Sequence, residues 1–457
     1  MTAGTQRHSP FEIQIISNIM TSDITMPFYQ AITEDVNALS AQVSPAQDEL
    51  QCIRREALDR FSALGLPTLK TEAWRYTNIQ RFLKEYPYEL LTAAATVPAS
   101  VTEKAAIPQL DCYRIVLVNG HLQADISELP AGKGITIGAL SAHTQAPGFV
   151  NWFNKQPHLS GESLASLNTA LFADGLYIEL AANAVIDKPV HIVNVYTSGT
   201  HAFIQPRHLW VLNRNAAATV IESTIHPDTN TVAFANSVLE TVIEENAELW
   251  HYNIQQGNEN FREVHTTAAQ QHANSRYHHF NFTLPGTPFT RNNLSVALNG
   301  SYTETNLNGL YIADKSQHVD NHTYMDHIMP NCNSNELYKG VLLDSANGVF
   351  TGRILVHQEA QKTNAFQQNN NLLLGNKADI NSQPQLEIYA DDVKCSHGFT
   401  AGQFSEESMF YLRSRGIGED AAKALMVNAF SHDITNEVKI PALQHYLQEQ
   451  IAAIMNN

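Results

Sequence analysis

The sequence predicts a mainly β chain flanked by helical regions at both ends. From Tyr113 onward, short apolar segments follow one another with no long helix between them: YRIVLVNG, GITIGAL, GLYIEL, VIDKPVHIVNVYTSG, HLWVLNRNAAATVIES and ELWHYNIQQG. Such a series belongs to a β-sandwich, a barrel or a β-solenoid. Residues 281–381 hold 17 asparagines in 101 positions, many of them beside β runs. A parallel β-helix turns at every corner, where Asn tolerates left-handed backbone, and stacked Asn side chains hydrogen-bond along a ladder. Helical periodicity is confined to the two ends. No strict repeat is present, so the residues leave sandwich and solenoid both open.

Each element has a local reason. The opening MTAGTQRHSPFEIQIISNIM lacks the basic start and the small-residue cleavage site of a signal peptide. Met20 and Met26 each offer a start, so residues 1–25 are read as disordered or as an upstream artefact. Ser44-Pro45-Ala46-Gln47 reads as a helix start: N-cap Ser, Pro at the first position and a capping-box Gln. Leu50, Ile53, Ala57, Leu58, Phe61 and Leu64 then keep helical spacing, and Gly65 ends the run. Residues 91–110 are small, polar and Pro-punctuated, which reads as a linker. The expected units are therefore a helical region and linker over 26–110, a β core over 111–402 and helices over 403–457. In the last unit Ser405 caps a helix ended by Gly416. A second helix fits 419–431, and a third starts at Ile440-Pro441, carrying Leu443, Tyr446, Leu447, Ile451 and Ile454. Their apolar faces must cover each other, the β core or a partner.

Composition excludes several functions. The chain has 457 residues and a net charge of −17, which argues against nucleic-acid or anionic-membrane partners, since both need basic patches. No apolar run is long enough for a membrane-spanning helix. Cys52, Cys112, Cys332 and Cys395 are widely spaced with no C-x-x-C pair, so neither a disulfide framework nor a self-contained metal cage is expected. Reduced thiols in a cytoplasmic protein fit this usage.

Enzyme signatures are missing too. No phosphate-binding G-x-x-x-x-G-K-[ST], no G-x-S-x-G and no H-E-x-x-H occurs. Gly132, Gly134 and Gly138 have the wrong spacing for a dinucleotide fingerprint. Asp391 and Asp392 are adjacent, hence on opposite faces if extended, and do not make the carboxylate pair of a polysaccharide-acting solenoid enzyme. His278 and His279 face opposite sides of a strand. His318 and His322 would stand about 13 Å apart on one, too far to share a metal. Cys332 reads as a stray turn thiol.

One segment, QLEIYADDVKCSHGFTAGQFSEESMFYLRSRGI (385–417), carries chemistry. If extended, it places Cys395 and His397 on one face as a soft ligand pair, and the imidazole would favour the thiolate. Two ligands leave an iron–sulfur cluster under-coordinated, so others must come from a second chain. This segment resembles the SufB/SufD family of the SUF iron–sulfur cluster assembly machinery. The resemblance extends through KTEAWRYTN (70–78), HHFNFTLPGTPFTRNNLSVALNG (278–300), ETNLNGLYIADKSQHVDNHTYMDH (304–327), NSNELYKGVLLDSANGVFTGRILV (333–356) and AQKTNAFQQNNNLLL (360–374). Gly398 and LRSRGI favour the SufD branch over SufB, which typically has Glu after the His.

The resemblance implies a right-handed parallel β-helix core. It also implies a non-enzymatic scaffold that pairs with SufB and docks the SufC ATPase through its C-terminal helices. Candidate docking residues are Leu425, Leu443, Tyr446 and Leu447; candidate interface residues are Ile388 and Val393, on the last β-rich stretch. Cys395 and His397 would share a transient Fe–S cluster with SufB, with no stably bound cofactor; nothing in the chain indicates a flavin site. Without SufB, the same edge would pair with itself as a homodimer. A SufB-type scaffold and, more remotely, a polysaccharide-acting β-helix enzyme are the alternatives.

Overall fold

The protein is described by a computed structural model over residues 49–83, 88–197, 201–227 and 232–456. The expectations for residues 1–25 and for the Ser44 cap lie outside the described residues.

Successive strands alternate between two long, almost wholly parallel sheets, so the chain coils as a solenoid of about eight turns. The first sheet runs from Ile135–Ala139 through Leu176–Leu180, Arg207–Leu212, Ala233–Ile243, Phe261–Gln271, Phe289–Leu298, His318–His327 and Asn347–Val356 to Asp379–Ile388. The second runs from Tyr113–Val118 through Val190–Val195, Ala217–Ile225, Glu248–Gln255, Arg276–Thr283, Glu304–Ala313, Asn333–Leu342 and Asn364–Leu373 to Lys394–Gly402. This decides for the solenoid against the sandwich. Among the described residues only the first turn carries antiparallel pairs, where Ile135–Ala139 lies against Leu176–Leu180 and His121–Leu122 folds back on Tyr113–Val118.

The corners explain why Asn is needed. Asn183, Asn215, Asn246, Asn274, Tyr302, Asn331 and Lys362 all have positive φ and recur every 28 to 32 residues. They form one stacked corner. The Asn215 side-chain amide donates to Asn183 Oδ1 at 2.8 Å, and that of Asn246 donates to Asn215 Oδ1 at 3.1 Å. Most asparagines of 281–381 serve differently. They stack in strands, as in Asn292 to Asn321 (3.0 Å) and Asn364 to Asn333 (2.8 Å), rather than turning corners.

Strand periodicity sends alternate side chains into the lumen. One group there is apolar, including Ile178, Leu212, Leu249, Val296, Phe350 and Ile354, and forms the main core. The outer face of the first sheet is roofed by helices Glu49–Leu64 and Ser163–Leu171, whose Phe61, Leu164 and Leu167 pack on Phe203 and Phe234. The stretch read as a linker is packed down as well. It forms a short helix, Ala99–Glu103, whose Val101 rests on Val116, Val118, Val193 and Val195.

The C-terminal helices are Glu406–Ser414, Glu419–Thr435 and Pro441–Asn456. Ser405 caps the first by accepting the Ser408 N–H, and Gly416 turns the chain at φ +85°. The other two cover the outer face of the second sheet. Val427, Ile434, Leu443, Leu447 and Ile451 interlock with Tyr252, Ile254, Phe280, Phe282, Leu310 and Val341. Lys339 ties this cover down by donating to the Phe430 carbonyl at 2.8 Å and to Asp433. Leu443 and Leu447 are thus fully buried within the chain, which corrects their expected role in docking. They have no surface left to offer a partner. Tyr446 is half-buried against the same cluster, whereas Leu425 remains 50% exposed.

Candidate functional site at the open end of the solenoid

Asp379–Ile388 and Lys394–Gly402 each end a sheet, with a neighbour on one side only. Tyr389 N–H donates to the Val356 carbonyl and Lys394 N–H to that of Thr363. Because backbone groups of a parallel strand alternate in direction, the N–H groups of Ile388, Cys395 and His397 point to the unpaired side. Unpaired edges of this kind are templates for strand addition.

The same rung carries the expected ligand pair. In register, Cys395 stands over Ala365, His397 over Gln367 and Phe399 over Asn369. Ala365, Gln367 and Asn369 are buried inward-facing residues, so Cys395, His397 and Phe399 point along the lumen wall where no further coil covers them. On the facing sheet Ile388 is 40% exposed, and on the strand of the ligand pair Phe399 is 43% exposed. Leu386 and Val393 are half-buried against the core. The lumen therefore opens on an apolar mouth that contains one thiol and one imidazole. Val393 is less available as an interface residue than Ile388.

Extended backbone brings Cys395 and His397 to one face, but their electrostatics differ from the expectation. Burial pushes the Cys395 thiol up, and a backbone hydrogen bond from Ala365 only partly offsets this. His397 contributes nothing to that shift. The isolated chain thus holds a protonated thiol, and a metal or a partner's charge must draw the proton off. Among the described residues no cluster of three or more His, Cys, Asp or Glu has metal-holding geometry, so this pair is an incomplete ligand set.

The remaining candidates disperse. Cys332 is buried and donates its S–H to the Gly300 carbonyl at 3.3 Å. His278 stacks on Trp250 on the outer face (3.9 Å), while His279 is buried in the lumen. His318 meets Thr77 Oγ1 at 2.8 Å, His322 meets Asp320 at 3.0 Å, and His327 meets Ser334 Oγ at 2.9 Å.

Two features escaped the sequence reading. KTEAWRYTN is a clamp: the Arg291 guanidinium lies 3.7 Å from the centre of the buried Trp74 ring, donates to the Ala73 carbonyl and pairs with Asp320, which also accepts from Thr77. The lumen also holds a polar spine, including His208, Glu222, His251, His265 and His279. Burial alone would raise Glu222, yet its hydrogen bond to His251 (2.7 Å) and the surrounding imidazoles hold it down at about 2. Only strand parity combined with register reveals such a spine, and register is invisible without the fold.

The family models agree with this architecture. One described as "SUF system FeS cluster assembly, SufBD core domain" matches residues 195–430, and "SufBD protein N-terminal region" matches residues 25–192. The chain belongs to the SufBD family. It is 31% identical over 452 residues to an iron–sulfur cluster assembly SufBD family protein of Synechocystis, covering 95% of this chain and 98% of that one. It is 29% identical over 403 residues to the iron–sulfur cluster assembly protein SufD of Escherichia coli, covering 87% and 91% respectively. As a SufBD-family chain it is an iron–sulfur cluster assembly protein with a parallel β-solenoid core.

Proposed function

We propose that this chain is the SufD-type scaffold subunit of a cytoplasmic SufB–SufC–SufD complex. It pairs with SufB through the open end of its solenoid, docks the SufC ATPase through its C-terminal helices and has no catalytic activity of its own. The observation that carries the reading is the uncapped last rung, where two free strand edges and an apolar mouth surround Cys395 and His397. A strand-bearing partner would satisfy the free N–H groups and cover Ile388 and Phe399. It would also supply the ligands that two side chains cannot. The nascent cluster is cargo here, held transiently between the subunits. With Leu443 and Leu447 committed to the core, the surface that suits SufC is Leu425 (50% exposed) with Phe410 (74%) and Tyr411 (56%) on helix Glu406–Ser414.

Mixing the chain with SufB and SufC tests this reading. A stable three-component complex is expected on size-exclusion chromatography. Ile388→Pro removes an outward N–H and should release SufB while leaving the SufC contact. Phe410→Asp should do the reverse. Failure of the wild-type chain to join the complex would sink the proposal; a homodimer that resists Ile388→Pro would place the interface elsewhere.

The ligand pair has its own test. Anaerobic loading of the assembled complex with iron and sulfide should yield at least tenfold less cluster with Cys395→Ser or His397→Ala than with wild type. Since both side chains sit at the open mouth, urea midpoints should match wild type. Undiminished cluster yield in both variants would remove them from the site.

A further inference from the structure

On the outer face of the first sheet, a cleft of about 300 Å³ opens where the N-terminal clamp and the turn Pro157–Leu159 meet the strands. Its floor is two rows of outward-facing side chains, in register on successive parallel strands. Asn293, His322, Thr351 and Gln383 form one row. Ser295, Tyr324, Arg353 and Gln385 form the other. Glu72 and Ala73 rise from the clamp, and His158, Leu159 and Glu162 from the turn and the residues after it. Both walls are held in place. The Ala73 carbonyl accepts from Arg291 at 2.8 Å, and Leu159 is buried against Ala165, Val238 and Ala268. His158 stands edge-on to the Tyr324 ring, with 4.6 Å between ring centres.

The basic groups of this cleft are engaged, but its two wall carboxylates are not. Arg353 Nη2 lies 2.9 Å from both Glu387 oxygens. His158 meets Asp326 at 3.3 Å, and His322 meets Asp320 at 3.0 Å. Among the described residues, neither Glu72 nor Glu162 has an ion-pair partner. Glu162 is the N-cap residue of Ser163–Leu171, yet its side chain makes no capping bond. Burial lowers the His322 imidazole, with Glu162 among the carboxylates that oppose it; the Glu387 hydrogen bond raises Arg353, and Glu72 adds to it. Each carboxylate therefore acts on the floor of the cleft. The floor has unused capacity as well. Among the described residues, the hydroxyls of Tyr324 and Thr351 and the side-chain amides of Gln383 and Gln385 make no hydrogen bond. Anionic acceptors, neutral acceptors and a few apolar surfaces thus converge on a volume at the small end of ligand sites.

We propose that this cleft binds a small aliphatic cation of the diamine or polyamine class. Glu72 and Glu162 each accept an ammonium N–H, and bonds between two ionised groups are the strong kind. The methylene chain between the ammonium groups lies on Ala73, Leu159 and the Tyr324 ring, which removes its apolar surface from water. Tyr324, Thr351, Gln383 and Gln385 accept the remaining ammonium protons through their oxygens. Because the carboxylates come from two separate elements, a ligand with two ammonium groups satisfies both and a monoamine only one. The cleft lies outside the lumen and uses neither Cys395 nor His397, so this site stands or falls apart from the assembly reading.

Calorimetric titration of the full, isolated chain with 1,4-diaminobutane and with spermidine, at physiological salt, tests the site. Saturable one-to-one binding is expected, with 1-aminobutane about tenfold weaker or more. Glu72→Gln and Glu162→Gln should each weaken diamine binding by about tenfold. Neither carboxylate is ion-paired, so urea midpoints should match wild type. Asp420→Asn, on helix Glu419–Thr435 over the second sheet, reports any general attraction of cations to a chain of net charge −17 and should leave the affinity unchanged. Bound diamine should also slow amide exchange in residues 72–77 and 157–162. Absence of saturable binding would overturn the proposal. So would unchanged affinity in both Glu variants, or an equal loss in Asp420→Asn, which would mean diffuse counterion attraction.

Discussion

Lowering the pH from 7 to 5 should cause a steep fall in the urea midpoint of this chain, larger than a surface-charge effect produces. The cause is the set of imidazoles buried in their neutral form. Burial pulls His208 down to about 4, with nearby Glu222 opposing it only partly, and pulls His327 down to about 4 as well. It lowers His265 and takes His279 well below its ordinary value. An unfolded chain protonates these side chains near pH 6.5, whereas the folded chain resists until much lower pH. The unfolded state therefore binds more protons across the window from about 6.5 to 4, and stability drops as pH falls through it. A group displaced by about 2.5 units contributes on the order of 3 kcal/mol over that window. Glu336 and Glu263 work in the opposite sense. Burial raises them to about 7 and about 8, so between about 4.5 and those values the folded state keeps protons the unfolded state has lost, and stability falls as pH rises. The imidazoles outnumber them, so the acid limb should dominate. Replacing His265 and His279 together by Gln should flatten the difference between urea midpoints at pH 7 and pH 5. An unchanged pH dependence in that variant would show that the buried imidazoles do not set it.

How much of this was legible in the sequence depends on whether a feature is local. Ser405 and Gly416 mark a helix by contacts within a few residues, and both ends match the structure. The pairing of Cys395 with His397 on one face needs only strand periodicity. The choice of solenoid over sandwich was not local, because it depends on which strands pair across 28 to 32 residues, and the β segments read alike in either fold. Burial was harder still. The apolar faces of Glu419–Thr435 and Pro441–Asn456 look the same whether they meet a partner or Tyr252, Phe280 and Leu310 of the same chain. Leu443 and Leu447 therefore read as outward-facing in the sequence. The thiol of Cys395 misleads similarly: His397 is two residues away in sequence, yet it is partial burial that moves the thiol, upward, with only the Ala365 backbone hydrogen bond opposing it.

The Trp74 clamp sets the second large effect, expected on cutting its charge pair. Arg291 and Asp320 are fully buried, with the guanidinium held between Asp320 and the Trp74 ring. Burial would raise the Asp320 carboxyl, but Arg291 and His322 hold it well below the usual range. Asp320→Ala leaves a buried guanidinium with no countercharge, which costs about 3–5 kcal/mol. It also removes the acceptor for Thr77, so residues 72–77 should lift from strands Phe289–Leu298 and His318–His327. Trypsin cleavage after the exposed Arg75 should then accelerate at least tenfold under native conditions. The double variant Arg291→Met with Asp320→Leu removes both charges and retains volume, so it should recover most of the urea stability without restoring the clamp's hydrogen bonds. The clamp lies on the outer face of the first sheet, away from the unpaired rung, so the double variant should still bind SufB. An Asp320→Ala protein with wild-type urea midpoint and wild-type cleavage would show that the pair does not hold the N-terminal segment in place. Loss of SufB binding in the stable double variant would instead tie this segment to the interface, which the geometry of the mouth does not require.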